Sequence, residues 1–390
     1  MADLEGGREK PQVLSRAWVA RGLALVVAGF GAGFLGYSAL ADSGDDPPAA
    51  RPPTASASPE DTTPAPADGD DVLRRAVGQK IITRMAGERP SPRLLQRVRR
   101  GEVGGVILFD HNAPAPTPLA EAAASLQKAA ARGGNPRLLI AVDQEGGSVR
   151  RLPWAPPQGS AAELGGDPAR ALSEGERTGR TLRRVGINVD LAPVLDVPAE
   201  TSSVLGSRAF GTTPEAVSRA GCAFAAGLRR GGVLTAAKHF PGLGDATANT
   251  DKVRVEIRTP AAQLRAAYRP YRDCLDAGVI SAVMVANAVY PALGARVPAA
   301  LSGAVIEDEL RGRLRFRGVV ISDTLQAGAL RRERDTAVRA ARAGVDLLLY
   351  PTTERASEQA YRSLLAAARA HPAWVTTSAR RIRALKATLR

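Results

Sequence analysis

Short apolar runs alternate with amphipathic, helix-like segments from about Val72 to the C-terminus, and this alternation constrains the fold more than any other feature of the chain. The runs are rich in Val, Ile and Leu and are bounded by Gly, Pro or Asp, which is typical of buried parallel strands. They read "KIITRMAG", "GGVILFD", "LLIAVDQE", "INVDLAPVLDV", "VLTAAKHF", "SAVMVANAV", "GVVISD" and "VDLLLY". Eight strands separated by helices predict an α/β fold, a (β/α)8 barrel of the TIM type, over residues 71–390. A doubly wound open sheet is the alternative, but no G-x-G-x-x-G follows the first strand, which disfavours its dinucleotide-binding form.

Polar residues follow most of these predicted strands. In a parallel barrel the carboxyl ends of the strands meet at one mouth, where active sites lie. Any one of these residues could simply cap a helix, but their convergence on one mouth indicates a polar site. They are Asp110, Asp143, Glu145, Asp196, Lys238, His239, Asn287 and Asp323.

Several motifs occur in an order that resembles glycoside hydrolase family 3, and specifically its single-barrel β-N-acetylhexosaminidases that act on peptidoglycan-type glycans. The resemblance runs from about Val72 to the C-terminus. It is carried by "GGVILF", "LLIAVDQEGGSVRRL", "GINVDLAPVLDV", "LGSRAFG", "AKHFPGLG", "VVISDTLQAGAL" and "AGVDLLLYP". Family 3 β-glucosidases generally carry a second α/β domain that supplies the acid, and its absence here favours the hexosaminidase branch.

The resemblance implies a retaining, double-displacement mechanism in which Asp323 is the nucleophile. Asp143 would accept hydrogen bonds from sugar hydroxyls, and His239 would line the subsite of the terminal sugar. The donors to hydroxyls and to the N-acetyl group would be Arg151, Arg208 and Lys238. For Arg151 and Arg208 a structural ion pair at the barrel rim is the alternative. The resemblance implies neither a metal nor a cofactor.

The loop "KHFPGLGDATANTD", residues 238–251, departs from the family pattern of "KHFPGHG" followed by an Asp-x-His acid/base pair. Leu243 replaces the first histidine, and Asn249 and Asp251 replace the Asp and His of the pair. Three interpretations follow: Asp251 is itself the acid/base, Asp245 takes that role, or the domain binds glycan without cleaving it. The first is favoured because a carboxyl group is the usual acid of retaining glycosidases.

The N-terminal residues 1–41 read as a signal peptide or a membrane anchor. Gly22–Ala41 is an uncharged apolar run of about 20 residues, long enough to span a bilayer. Basic residues precede it and acidic residues follow it, which predicts an extracytoplasmic domain, and "ALA" at 39–41 fits a cleavage site. Residues 42–70 are rich in Pro, Ala, Ser and Thr and are predicted to be a disordered linker. We therefore expect a single-pass membrane protein or a secreted one.

The two cysteines, Cys222 and Cys274, fall in helix-like segments. An exported location permits a disulfide. The spacing of the two cysteines along the chain does not show that their Cα atoms lie within disulfide range, so two buried free thiols are the favoured expectation. With two Cys and three His in the chain, a zinc site of standard composition is not expected.

The net charge of +14 could favour nucleic acid, anionic lipid or acidic polymers. Aromatic residues are not interleaved with the basic ones, so nucleic acid is not the expected partner. The resemblance to family 3 implies instead a hydrolase that releases terminal β-linked N-acetylglucosamine from cell-wall glycans. The alternative is a non-catalytic glycan-binding protein held on a membrane tether.

Overall fold

The computed structural model describes residues 69–198 and 204–389. The predicted signal peptide or anchor, and the predicted linker up to residue 68, lie outside the described residues. The last two residues of that linker, Gly69 and Asp70, begin the first described helix, which runs to Gly78. No helix among the described residues is long and apolar enough to cross a bilayer.

The strands form one parallel sheet and one short hairpin. In chain order they are β1 (Ile81–Arg84), β2 (Gly105–Leu108), β3 (Leu139–Val142), β4 (Gln144–Gly146), β5 (Val149–Arg150), β6 (Val189–Asp190), β7 (Leu234–Phe240), β8 (Ala282–Val285), β9 (Val319–Ser322) and β10 (Leu348–Tyr350). The hairpin β4–β5 follows directly on β3 and is antiparallel. The sequence analysis did not predict it.

The other eight strands lie in sequence order around the sheet, with β10 paired to β1. A parallel bridge between Ile321 of β9 and Leu347, the residue before β10, joins the remaining edges. Each of the eight predicted apolar runs contains one of these strands. The eight-stranded parallel α/β architecture is therefore confirmed, and its order never reverses as it would in a doubly wound sheet.

One helix precedes β1, and the others lie in the segments that follow the strands, as expected for βα units. They are α1 (Gly69–Gly78), α2 (Pro92–Arg99), α3 (Pro116–Arg132), α4 (Ala161–Leu164), α5 (Pro168–Arg184), α6 (Pro214–Arg230), α7 (Ala261–Ala266), α8 (Arg269–Asp276), α9 (Thr336–Arg342), α10 (Glu354–Ala370) and α11 (Ala373–Ala387). A π-helical segment, Ala304–Arg313, connects β8 to β9. The side chains of Asp167, Thr213 and Thr353 cap α5, α6 and α10 by accepting a backbone N–H of the first turn.

Both faces of the barrel strands are buried, which explains their continuous apolar sequences. Alternate side chains fill the barrel interior, among them Ile82, Ile107, Ala141, Ala236, Met284, Ile321 and Leu349. The intervening side chains pack outward against the helices, for example Val106, Ile140, Val283 and Val320. This packing fixes the direction of each strand and so the position of the residue that follows it.

Cys222 of α6 and Cys274 of α8 form a disulfide, with their Cα atoms 5.0 Å apart. The expectation of two free thiols is therefore wrong. The cysteines are 52 residues apart in sequence, and only the packing of α6 on α8 brings them together. Ser218 also joins these helices, through a hydrogen bond of 2.5 Å to Asp273.

Candidate active site

A cavity of about 380 Å³ lies at the carboxyl ends of the barrel strands. All seven residues that the sequence analysis assigned to the site line it. They are Asp143, Arg151, Arg208, Lys238, His239, Asp251 and Asp323. The structure thus brings together side chains from the ends of four strands, β3, β5, β7 and β9, and from two loops.

Lys238 lies at the centre of an alternating chain of charges. Its Nζ is 2.6 Å from Oδ1 of Asp143 and 2.6 Å from Oε1 of Glu145. Glu145 in turn accepts two hydrogen bonds from the Arg208 guanidinium, at 2.7 and 2.8 Å. The Lys238–His239 peptide bond is cis, and both side chains line the cavity.

Glu145 lies between Lys238 and Arg208 in this charge network, although the sequence analysis gave it no role. Burial alone would raise its pKa, but Lys238 and Arg208 outweigh burial and hold the pKa at about 2. Burial would likewise lower the pKa of Lys238, yet Asp143 and Glu145 raise it above its ordinary value. The network therefore stays ionised and presents fixed charges to the cavity.

Arg151 and Arg208, for which a structural ion pair was the alternative interpretation, differ in their contacts. Arg208 does pair with Glu145, and its side chain remains 25% exposed at the cavity wall. Arg151 lies over the ring of Phe109, 5.6 Å from its centroid. The Nε of Arg151 is buried without a hydrogen-bond partner among the described residues. Arg151 is thus the better placed of the two to donate to a bound molecule.

His239 is held by Asp196, a second residue that the sequence analysis noted without assigning a role. Nδ1 of His239 is 2.8 Å from Oδ2 of Asp196, which is almost completely buried. The other carboxylate oxygen, Oδ1, accepts the backbone N–H groups of His239 and Leu243, at 3.2 and 2.7 Å. Since Nδ1 donates to a carboxylate, Nε2 is the ring nitrogen left for the cavity.

Asp323 follows β9, and its position is set by the backbone. Its N–H donates to the carbonyl of Val285 at 2.9 Å, and its Oδ1 accepts the N–H of Thr324 at 2.7 Å. Burial raises the pKa of Asp323, and the charge of Asp251 raises it further, whereas His239 and Lys238 act in the opposite direction. Asp323 and Asp251 therefore interact electrostatically across one cavity.

The loop that ends at Asp251 is fastened to the segment that follows Asp323. Gly328 donates its N–H to the carbonyl of Asp251 at 2.7 Å, and Ala329 donates to that of Thr250 at 3.1 Å. A Cβ on Gly328 would lie 2.0 Å from the carbonyl oxygen of Lys252, so a side chain there would push the two segments apart. This close approach keeps Asp251 at the cavity wall.

The other candidate acid of the loop, Asp245, is not among the residues that line the cavity. Its Oδ2 accepts a hydrogen bond of 2.6 Å from the Thr259 hydroxyl. Asn249 does line the cavity, and its Oδ1 accepts the backbone N–H of Asp251 at 2.8 Å. The geometry therefore favours Asp251 over Asp245 as a proton donor.

No group of three or more His, Cys, Asp or Glu suited to a metal ion occurs within residues 69–198 and 204–389.

Residues 73–385 match the family model described as "Glycosyl hydrolase family 3 N terminal domain". An "Uncharacterized secreted glycosyl hydrolase" of Arthroderma benhamiae is 40% identical over 298 residues, which cover 73% of this chain and 83% of that protein. A "Beta-hexosaminidase" of Nitrosomonas eutropha is 37% identical over 239 residues, covering 59% of this chain and 67% of its own length.

Among solved structures, a glycoside hydrolase family 3 beta-N-acetylglucosaminidase from Paenibacillus sp. superposes with a TM-score of 0.78 and 34% sequence identity. The match covers 81% of this chain and 62% of the Paenibacillus chain.

Proposed function

Because this chain belongs to glycosyl hydrolase family 3, we propose that it is a retaining β-N-acetylhexosaminidase with Asp323 as nucleophile and Asp251 as acid/base. It removes terminal β-linked N-acetylglucosamine from cell-wall glycans of the peptidoglycan type. The observation that carries this proposal is that Asp323 and Asp251 line the same cavity as all five residues proposed to contact the sugar.

The reaction takes place in two displacements. In the first, a carboxylate oxygen of Asp323 attacks the anomeric carbon, and the bond to the leaving-group oxygen breaks as Asp251 transfers its proton to that oxygen. In the second, Asp251 takes a proton from water, and the resulting hydroxide displaces Asp323 from the anomeric carbon. The configuration at that carbon is inverted twice and so retained.

The charges around Asp323 suit a nucleophile that must be ionised. Burial and Asp251 both raise its pKa, so His239 and Lys238 are needed to favour the carboxylate. When Asp251 carries its proton, the repulsion between the two carboxylates disappears. A protonated Asp251 beside an ionised Asp323 is the state that the first displacement requires.

The network of ionised side chains supports recognition of the terminal sugar. Asp143 is 17% exposed and accepts hydrogen bonds, while the buried Nε of Arg151 lacks a protein partner among the described residues. These groups provide an acceptor and a donor for sugar hydroxyls and for the 2-acetamido group. Lys238 holds Asp143 in place through an ion pair and is itself paired with Glu145, which Arg208 also binds.

Export from the cytoplasm is part of the proposal, as a secreted protein or as one held by its N-terminal segment. It is supported by the charge distribution around Gly22–Ala41 and by the Cys222–Cys274 disulfide, since stable disulfides are rare in the cytosol.

The test is hydrolysis of 4-nitrophenyl N-acetyl-β-glucosaminide by the wild-type chain and by Asp323→Asn and Asp251→Asn. We expect the first variant to lose turnover and the second to lose roughly 10²- to 10⁴-fold in rate. Azide should restore turnover in Asp251→Asn. Asp245→Asn should have the turnover of wild type, so azide should not increase it. Binding of N-acetylglucosamine without turnover above that of Asp323→Asn would instead support the non-catalytic glycan-binding protein.

A further inference from the structure

The net charge of +14 has no part in the proposed reaction, but the structure shows where a portion of the positive charge lies. Five of the described helices end on an arginine, and each leads the chain back to the start of the next barrel strand. These arginines therefore lie at the end of the barrel opposite to the mouth, which we call the amino end. They are Arg99 of α2, Arg132 of α3, Arg184 of α5, Arg230 of α6 and Arg342 of α9.

The arginines at these five helix ends are all exposed, and none forms an ion pair with any residue within 69–198 and 204–389. A cation at the C-terminus of a helix is favourable by itself, because it offsets the helix dipole. One such arginine would need no further explanation. The helix α8 differs, since it ends on the exposed Asp276. The convergence of the others makes the amino end basic, whereas the carboxylates of the proposed site lie at the mouth.

The helix α11 covers the amino end of the barrel. Its Ile382 is fully buried against the barrel interior. Nζ of Lys386 donates at 2.7 Å to the carbonyl of Gly104, the residue before β2. Leu385 and Leu389, by contrast, are only partly buried. The end of α11 thus leaves apolar surface among the arginines.

A cavity of about 730 Å³ lies between the end of α11 and the starts of β7 and β8. Its wall combines basic and apolar side chains, among them Arg229, Arg230, Leu234, Ile280, Leu385 and Leu389. No described residue of this wall is acidic, and neither Arg229 nor Arg230 forms an ion pair with a described residue. The helix dipole does not account for apolar groups beside two such arginines. A wall of this kind suits an anionic amphiphile better than a wholly polar polyanion.

The chain that precedes the described residues joins the barrel at this same end. The helix α1 begins at Gly69. The next residue, Asp70, accepts hydrogen bonds of 3.0 and 3.1 Å from Arg369, near the end of α10. Since α10 follows β10 and leads to α11, it ends on the side away from the mouth. The predicted signal peptide or anchor is therefore attached, through the predicted linker, to the basic end of the barrel.

We propose that the amino end of the barrel docks on an anionic lipid bilayer, with Arg229 and Arg230 at the contact. Arginines close to such a surface are attracted to it, and the attraction weakens as ionic strength rises. Leu385 and Leu389 then meet the boundary between headgroups and acyl chains. In this orientation the mouth faces away from the bilayer and its cavity stays open to glycans. The docking does not depend on the proposed reaction.

The test is amide hydrogen exchange of the full chain with vesicles of phosphatidylcholine, with or without phosphatidylglycerol. Exchange is followed in residues 229–234 and 385–389, so the readout is local and does not depend on how the N-terminal segment meets the vesicle. Glycerophosphoglycerol, the soluble headgroup of phosphatidylglycerol, replaces the vesicles in a third arm.

The variant Arg229→Gln/Arg230→Gln is compared with Arg332→Gln/Arg334→Gln. The second pair removes the same charge from exposed arginines of the segment between β9 and α9, on the side of the mouth. Hydrolysis of 4-nitrophenyl N-acetyl-β-glucosaminide and thermal unfolding show whether each variant is folded.

We expect vesicles with phosphatidylglycerol, and not phosphatidylcholine alone, to slow exchange in both segments by roughly 10-fold in wild type and in the mouth control. Raised salt should abolish this protection. Arg229→Gln/Arg230→Gln should lose it and keep wild-type hydrolysis of the nitrophenyl substrate.

Equal exchange with the two kinds of vesicle would overturn the inference, and so would equal protection in all three proteins. Protection by the soluble headgroup alone would indicate a site for a phosphodiester and would also overturn docking on a bilayer. Protection that depends on Arg229 and Arg230, with no hydrolysis of the nitrophenyl substrate by any of the proteins, would support the inference and refute the proposed hydrolase.

Discussion

Asp196 holds the imidazole of His239 at 2.8 Å through one carboxylate oxygen and fastens the start of the 241–251 loop through the other. One buried side chain thereby links the cavity wall beside Asp323 to the segment that ends in Asp251. Both halves of the proposed catalytic pair consequently depend on a residue that is not itself at the cavity surface.

Asp196→Asn should lower kcat/KM for the nitrophenyl substrate by roughly 10- to 100-fold, about 1.4 to 2.7 kcal/mol of transition-state stabilisation. The amide oxygen can still accept the two backbone N–H groups, but its NH₂ then meets Nδ1 of His239 and forces the other tautomer. Steady-state kinetics and thermal unfolding check this, with Asp276→Asn, at an exposed position of α8, as the control. Unchanged kinetics in a folded Asp196→Asn protein would show that His239 needs no such orientation.

Gly328→Ala should separate the loop from the segment after Asp323, because its Cβ would lie 2.0 Å from the backbone oxygen of Lys252. With Asp251 displaced, acid assistance weakens, so substrates with poor leaving groups should lose more rate than substrates with good ones. A series of substituted phenyl glycosides measures this dependence. Gly303→Ala is the matched control, since its Cβ would meet no atom within 4 Å. An equal loss across the series would mean that the contact serves folding and not proton transfer.

Asp190, completely buried at the end of β6, should make the protein less stable as the pH rises. Burial raises its pKa from 3.8 to about 8. Between these values the folded state keeps a proton that the unfolded state has released, so the free energy of unfolding falls with pH, by at most about 1.4 kcal/mol per pH unit. The contribution of Asp190 is fully present below pH 4 and is lost as the pH passes 8.

Asp190→Asn removes this titration and keeps an oxygen to accept the N–H of Gln144, which Asp190 binds at 3.0 Å. Urea unfolding at pH 5 and pH 8 should give a smaller pH dependence for the variant than for wild type. Asp276→Asn again serves as the exposed control. A pH dependence identical to that of wild type would show that Asp190 is ionised in the folded protein.

Loss of the Cys222–Cys274 disulfide should destabilise the fold without affecting the site. For a sequence separation of 52 residues, the chain-entropy argument gives about 4 kcal/mol. The bridge joins α6 to α8 outside the barrel, so kcat/KM at low temperature should remain that of wild type. Chemical unfolding of the double variant Cys222→Ser/Cys274→Ser measures the loss in the free energy of unfolding. Wild type is unfolded with and without reductant for comparison. Wild-type stability in the double variant would mean that the packing of the two helices suffices.

The barrel and most of the residues around its mouth could be predicted from the amino-acid sequence. Runs such as "GVVISD" are apolar because both faces of each strand are buried, and a polar residue that follows such a strand must emerge at the mouth. Asp143, Lys238 and Asp323 could be placed together for that local reason. Which groups pair with one another could not be predicted, since Glu145 lies 63 residues from Arg208 and Cys222 lies 52 residues from Cys274. The tertiary structure also distinguishes Asp251, which is held beside Gly328 at the cavity, from Asp245, which binds Thr259. It places Arg84 beside His111. Local periodicity reports the strand on which a residue lies, whereas these choices depend on contacts across the barrel that no spacing along the chain records.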